Sequence, residues 1–209
     1  MRGFIYTGGR IDPDYIIEKP KEGDLIVAAD QGLKNALDLC ETPAYFIGDC
    51  DSFPEERIPL GIEKILLKPE KDMTDTQFAL DFAISQGAEE IVIIGGLDGR
   101  LDHTLSNLAL LEKCAALHIP AVITDGMNRV RFLENGSTLI AKSKFRYLGL
   151  LTLDRVAKGV EIEGCKYPLK KAKIKRFQQF AVSNEITGNC ALVSVHKGAL
   201  WIIESRDRS

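Results

Sequence analysis

The sequence predicts an α/β domain built on a parallel sheet, followed by a small antiparallel β-sandwich domain. Three observations carry this expectation. Short apolar runs that end in polar or glycine-rich turns recur through residues 1–127. Stretches of helical character separate them. Over residues 128–209 the apolar runs become alternating, and no convincing helix lies between them. A chain of 209 residues is comfortable for two small domains of this kind.

In the first part, Phe4-Ile5-Tyr6 ends in Thr7-Gly8-Gly9, and Leu25 to Ala29 ends in Asp30-Gln31-Gly32. Tyr45-Phe46-Ile47 ends in Gly48-Asp49-Cys50-Asp51, and Ile65-Leu66-Leu67 ends in Lys68-Pro69. Ile91 to Ile94 ends in Gly95-Gly96, and Ala121-Val122-Ile123 ends in Thr124-Asp125-Gly126. Runs this short and uniformly apolar suit strands buried on both faces of a parallel sheet. Residues 33–40 and 104–117, rich in Leu and Ala, read as helices. The clearest helix starts at Thr74. Thr74-Asp75-Thr76-Gln77 fits a capping box, in which the Thr hydroxyl takes an orphan amide and Gln77 reaches back. Ala79, Phe82 and Ala83 then repeat at helical spacing, with Asp72 and Asp75 expected on that same buried side. Strands alternating with helices require right-handed crossovers and helices on the sheet faces. In the second part, runs such as Thr138-Leu139-Ile140, Gly159 to Ile162, Ala191 to Val195 and Leu200 to Ile203 read as short antiparallel strands.

Composition narrows the function classes. The chain is 45% hydrophobic and 27% charged, with a net charge of −3 and acids and bases well mixed along it. No basic excess points to nucleic acid. Lys170, Lys171, Lys173, Lys175 and Arg176 form a local basic cluster that reads as a solvated strand edge. The five cysteines are scattered with no C-x-x-C pair, so reduced thiols in a cytoplasmic protein are expected. The N-terminal residues do not form a signal peptide and no segment reaches membrane-span length, so no membrane partner is expected.

Ligands of open α/β sheets bind outside the carboxyl ends of the strands, so the polar punctuation after these runs falls together at one edge. In Gly48-Asp49-Cys50-Asp51-Ser52, residues two apart in an extended segment face the same side. Asp49 and Asp51 would then repel unless a cation lay between them, and Mg²⁺ held with substrate phosphates is the natural occupant. A polar turn capping the next helix is the competing reading. In Asp72-Met73-Thr74-Asp75-Thr76-Gln77, helix-start chemistry explains Thr74 and Gln77, whereas Asp72 and Asp75 are left for a ligand. The most specific segment is Gly95 to His103. It follows a strand and opens a helix; its glycines, including Gly96 and Gly99, let amides approach phosphate oxygens, and Arg100 supplies a cationic fork. A tight turn explains the glycines but not Arg100, Asp102 and His103 together. Asn107 lies one turn further in. Val182-Ser183-Asn184-Glu185 by composition is a turn.

Taken in order, Ala29-Asp30-Gln31-Gly32, Gly48 to Ser52, Asp72 to Asp75, Gly95 to His103 and Ser183-Asn184-Glu185 resemble the motifs of the thiamine pyrophosphokinase family. The resemblance covers most of the chain, with Gln31 where the family usually has Gly. It implies an α/β ATP-binding catalytic domain, a β-sandwich thiamine-binding domain and a homodimer, with ATP as co-substrate and Mg²⁺ as cofactor. It implies ATP at the strand ends, for which Asp30, Gly32, Gly95, Gly96, Gly99, Arg100, His103, Asn107, Asp125 and Asn128 are the candidate contacts. Asp49, Asp51 and Asp75 are the candidate metal ligands, and Asp49, Asp51, Asp72, Asp75, Arg100 and Asp102 the candidate catalytic set. Gln77, Ser183 and Asn184 are the candidate thiamine contacts, in a cleft shared with the partner subunit's β domain. Thiamine is a cation, so Trp201 is a possible stacking partner, though a β-domain core position is the more ordinary role. A pyrophosphokinase acting on a pterin alcohol, or a non-enzymatic nucleotide sensor, would share the nucleotide end and differ elsewhere.

Overall fold

The computed structural model describes residues 1–49, 55–68, 70, 72–178 and 180–207. The chain divides into two compact units, Met1–Gly126 and Met127–Ser209. In the first unit the strands are β1 (Arg2–Tyr6), β2 (Leu25–Ala29), β3 (Tyr45–Gly48), β4 (Glu63–Leu66), β5 (Glu90–Ile94) and β6 (Ala121–Thr124). They pair in parallel in the order β4-β3-β2-β1-β5-β6. The chain moves one way along the sheet from β1 to β4, then returns to lay β5 against the other side of β1. Connections leaving β1 and β5 therefore diverge, and the crevice that such a reversal opens lies at the carboxyl ends of these two strands.

Phe4, Ile5, Ile91 and Ile93 are fully buried, as expected for strands covered on both faces. β4 departs from that reading. It starts earlier than the apolar run Ile65-Leu66-Leu67, and three of its four residues are exposed, because it is the edge strand of this unit.

Among the described residues three α-helices pack on the sheet: α1 (Gly32–Asp38), α2 (Asp75–Ser85) and α3 (Leu101–Ala116). α1 lies so close to β1 that a Cβ on Gly32 would stand 1.9 Å from the Tyr6 carbonyl oxygen. α2 starts where the sequence places it. Thr74 caps it in an extended conformation, and its Oγ1 accepts the Gln77 amide at 3.2 Å. The buried face is Thr76, Ala79, Leu80 and Ala83. Phe82 is half-buried and meets the Tyr45 ring edge-on at 4.8 Å. Asp72 is exposed, not on the buried side as expected. The reason is local: Thr74 breaks the helical conformation, so the 3.6-residue period does not extend back to residue 72.

The second unit has no helix among its described residues. Its strands are β7 (Asn128–Glu134), β8 (Ser137–Ala141), β9 (Tyr147–Thr152), β10 (Val156–Glu163), β11 (Leu169–Lys175), β12 (Cys190–Lys197) and β13 (Ala199–Ser205). β7, β13 and β9 form one antiparallel layer, and β11, β10, β12 and β8 form the other. Between them lies one core, including Ile140, Leu148, Leu150, Val160, Ile162, Val193, Leu200 and Ile202. This is the two-layer solution by which half-apolar sheets bury their faces. The Lys-rich segment is edge strand β11, which pairs with β10. Lysines on such an edge discourage pairing with another chain.

Along β13 the buried positions alternate. Leu200, Ile202 and Glu204 face inward, so Trp201 lies on the opposite face and outside the core cluster. Glu204 is 2% exposed. Its carboxylate accepts a fork from Arg129, with bonds of 2.8 and 2.6 Å, and further bonds from Arg131 and Ser143. The Arg129 guanidinium also sits 5.1 Å from the centre of the Phe145 ring. Register delivers the pair, because Glu204 stands directly opposite Arg129 across β13 and β7.

The boundary between units revises the reading of charge. Met1–Gly126 carries 23 acidic against 11 basic residues, a formal charge of −12, and Met127–Ser209 carries 7 against 16, a charge of +9. The mixing seen along the sequence is local only.

Candidate active site

A cleft of about 420 Å³ opens at the carboxyl ends of β1, β2 and β5, at the reversal of strand order. Four short segments line it: Thr7-Gly8-Gly9 after β1, Ala29-Asp30-Gln31 at the end of β2, Thr74-Asp75-Thr76 at the start of α2, and Gly96, Asp98, Arg100, His103 and Asn107 around the start of α3.

Hydrogen bonds tie the two glycine turns together. Gly96 N donates to the Gly8 carbonyl at 2.8 Å, and Thr7 N donates to Ile94 O at 2.9 Å. Two buried amides hold the turns from behind. Asn35 Nδ2 donates to the carbonyls of Thr7 and Gly9, at 2.7 and 3.0 Å, and Asn107 Nδ2 donates to Gly96 O at 3.0 Å. Carbonyls fastened this way are unavailable to repel an anion in the cleft. Gly96 must be glycine on two grounds. Its φ is +73°, and a Cβ would stand 2.5 Å from Asn107 Nδ2. The Thr7 and Thr76 hydroxyls lie 2.9 Å apart, joining the β1 turn to α2.

Arg100 extends from the N-cap of α3 and is exposed. Asp102 grips it with two bonds, Nε to Oδ1 at 3.1 Å and NH2 to Oδ2 at 2.6 Å, and also accepts the His103 amide at 2.9 Å. The hydrogen bond from Arg100 is the main favourable influence holding the Asp102 carboxyl below its usual range, and the same bond raises the guanidinium.

The cleft thus brings together Asp30, Asp75, Gly96, Arg100, His103 and Asn107 of the residues proposed from sequence. Others stand apart from its lining. Asp49 follows β3 and is half-buried, Gln77 is half-buried on α2, and Asp72 is exposed. Gly32 and Gly95 serve close packing: a Cβ on Gly95 would stand 2.5 Å from the Thr7 carbonyl. Gly99 is in the turn at φ +93°, with open space where a side chain would be. Asp102 is outside the lining and bonds two residues in it, the Arg100 side chain and the His103 amide. Asp125 is buried, and its carbonyl accepts the Asp12 amide at 2.7 Å. Asp51 lies outside the described residues, and among the described residues no three His, Cys, Asp or Glu side chains gather as a metal-holding group.

In the second unit, Asn128 starts β7 opposite Ser205. Ser183 is exposed at φ +56°. Asn184 is 3% exposed and spends its amide on the chain. Its Nδ2 donates to Tyr167 O at 2.7 Å, and its Oδ1 accepts the amides of Tyr167 and Glu185, each at 3.0 Å. It shapes the turn that presents Ser183 rather than offering a free amide. Sequence reasoning gave no role to Thr7, Gly8, Gly9, Asp98 or Thr76. The β1 turn carried the same strand-end signal as the other turns but contained no Asp to draw attention to it.

A glycine-lined, partly cationic cleft at the switch point of a parallel sheet, with carboxylates beside it, defines an α/β protein built to hold a phosphorylated ligand, here followed by a β-sandwich. The family models say which one. Residues 19–123 match the thiamin pyrophosphokinase catalytic domain, and residues 137–200 match the thiamin pyrophosphokinase vitamin B1 binding domain. The chain belongs to the thiamine pyrophosphokinase family. It is 31% identical over 191 residues to a thiamine pyrophosphokinase of Bacillus subtilis, covering 89% of each chain. The crystal structure of thiamine pyrophosphokinase from Bacillus subtilis superposes with a TM-score of 0.89 at 29% identity, covering 100% of both chains. That of Geobacillus thermodenitrificans gives 0.87 at 28% identity, covering 100% of this chain and 99% of the other. These matches do not support a pterin-directed enzyme or a nucleotide sensor.

Proposed function

We propose that this chain transfers the diphosphoryl group of ATP to the hydroxyl of thiamine, giving thiamine diphosphate and AMP. The observation that carries this is the pairing of a glycine-turn cleft in the first unit with matches to both domains of one family. The thiamine oxygen bonds to the β-phosphorus, the bond from that phosphorus to the α–β bridging oxygen breaks, and AMP leaves with the oxygen. The hydroxyl proton passes to a carboxylate, for which Asp75 in the cleft is the candidate.

Little covalent chemistry is asked of the protein, so positioning and charge stabilisation dominate. The amides of the two glycine turns and the Arg100 fork would hold phosphate oxygens. Asp102 would aim Arg100. The donor chemistry fits Mg²⁺, a hard cation that takes carboxylate oxygens: Asp49, Asp51 and Asp75 would hold it, and it would supply neutralisation of phosphate charge. The reaction would run in the cytoplasm; no helix among the described residues is long and apolar enough to cross a membrane. AMP release measured with ATP and thiamine, with and without Mg²⁺, tests the reading. Hydrolysis without thiamine dependence would contradict it.

Arg100→Ala should lower kcat/KM for ATP by roughly 30- to 1000-fold, the range for one lost charge-stabilising donor, while the KM for thiamine moves little. Steady-state kinetics in both substrates checks this, and an unchanged kcat/KM for ATP would remove Arg100 from the site.

The acceptor site is proposed to be shared between two subunits of a homodimer, with Ser183 from one reaching thiamine held against the cleft of the other. The first unit contains the glycine-turn cleft, and the second contains the vitamin B1 match. Mixing Asp75→Asn protein with Ser183→Ala protein should then restore up to a quarter of wild-type activity, because half the dimers are mixed and each holds one intact site. No recovery despite confirmed subunit exchange would mean that each chain builds its own site.

A further inference from the structure

Gln31 lines the cleft beside the glycine turns and carries a side-chain amide. It follows Asp30, a non-glycine residue at φ +49°, and that left-handed step turns the chain so that residue 31 stands at the rim. The side chain is exposed, and it folds over Gly8. A Cβ built on Gly8 would lie 3.3 Å from Gln31 Cβ and 3.6 Å from Gln31 Oε1. Its backbone carbonyl accepts Lys34 N, but its amide side chain makes no hydrogen bond among the described residues. This contrasts with Asn35 and Asn107 behind the same turns, whose amides are committed to carbonyls.

The surroundings decide what such an amide can do. Asp30, Asp75 and Asp98 line the same cleft and can only accept hydrogen bonds when ionised. A polyphosphate entering here meets three carboxylates and has Arg100 as a side-chain cation. A neutral N–H donor at the rim adds binding to phosphate oxygen without drawing the carboxylates into ion pairs. We infer that Gln31 contacts substrate, donating its side-chain amide to a phosphate oxygen of the nucleoside triphosphate and favouring the triphosphate donor over shorter phosphates. This rests on the proposed reaction for the identity of the donor, while the contact itself is a matter of nucleotide binding.

Gln31→Gly, Gln31→Glu and wild type are compared by calorimetric titration with the non-cleavable α,β-methylene analogue of ATP and Mg²⁺, and by steady-state kinetics. Gln31→Gly should weaken the analogue about tenfold, the ratio that one hydrogen bond to a charged group is worth. Gln31→Glu should weaken it further, because a carboxylate then faces phosphate. The KM for ATP should rise with the binding loss and the KM for thiamine stay within about twofold, and AMP as a competing ligand should lose less than the analogue. Thermal unfolding midpoints equal to wild type show that the exposed substitution leaves the fold intact. Binding of the analogue within twofold of wild type in both variants, or equal losses for ATP analogue and AMP, would overturn the inference. Wild type that binds the analogue but releases no AMP with thiamine would instead overturn the reaction, leaving the contact to stand on the titrations.

Discussion

Asp75→Asn should lower AMP release by about a hundred- to ten-thousand-fold while the protein stays folded, the span expected when a group that both moves a proton and holds a metal is neutralised. Asp75 stands in the first turn of α2, in the cleft, next to the Thr74 cap. Asn is nearly isosteric and keeps the start of the helix, so the change removes charge rather than structure. Asp49→Asn should fall in the same direction. The measurement is turnover at saturating Mg²⁺ alongside a far-ultraviolet circular dichroism spectrum. Near-wild-type turnover in the Asp75 variant would remove it from both roles. Recovery of activity at high Mg²⁺ would separate metal holding from proton transfer.

The largest loss of stability should come from Glu204, far from the cleft in sequence. Glu204→Ala removes the buried carboxylate that Arg129, 5% exposed, and Arg131 share. Breaking a buried ion pair from one side costs about 3–5 kcal/mol, a large part of the 5–15 kcal/mol that holds a typical domain together. Replacing the buried pair together, as Glu204→Leu with Arg129→Met, should cost much less, because the desolvated charges leave together. Urea unfolding followed by Trp201 fluorescence reads the second unit directly. A single-variant loss below about 1 kcal/mol would show that water reaches the pair.

The sequence disclosed the parallel sheet because strands buried on both faces leave uninterrupted apolar runs, as in Ile91 to Ile94. It disclosed α2 because Thr74 and Gln77 form a local capping signal whose meaning does not depend on distant residues. β4 was displaced because an edge strand alternates and its exposed positions do not read as strand. The cleft was half-legible. Asp30, Asp75, Arg100 and His103 sit in turns with distinctive composition. Thr7, Gly8 and Gly9 gain their place only from the pairing of β1 with β5, across more than 80 residues. The Arg129–Glu204 pair was invisible for the same reason: Glu204 looks like the polar end of an apolar run until register sets it opposite Arg129. Asn184 was read from its motif alone; its bonds to Tyr167 and Glu185 became visible only in the folded turn.

The division of charge has a consequence for how the cleft is filled. It belongs to the half of the chain that carries −12, and that half's own charge opposes a free nucleoside triphosphate. A divalent cation that travels with the nucleotide cancels about half of the nucleotide's charge and removes much of that barrier before any side chain is touched. The same charge would favour an organic cation such as thiamine. Within the roughly 8 Å screening length at cellular ionic strength, the acidic half would, under the proposed reaction, sort its visitors by net charge, favouring metal-loaded donor and cationic acceptor over bare polyanions, before the glycine turns sort them by shape.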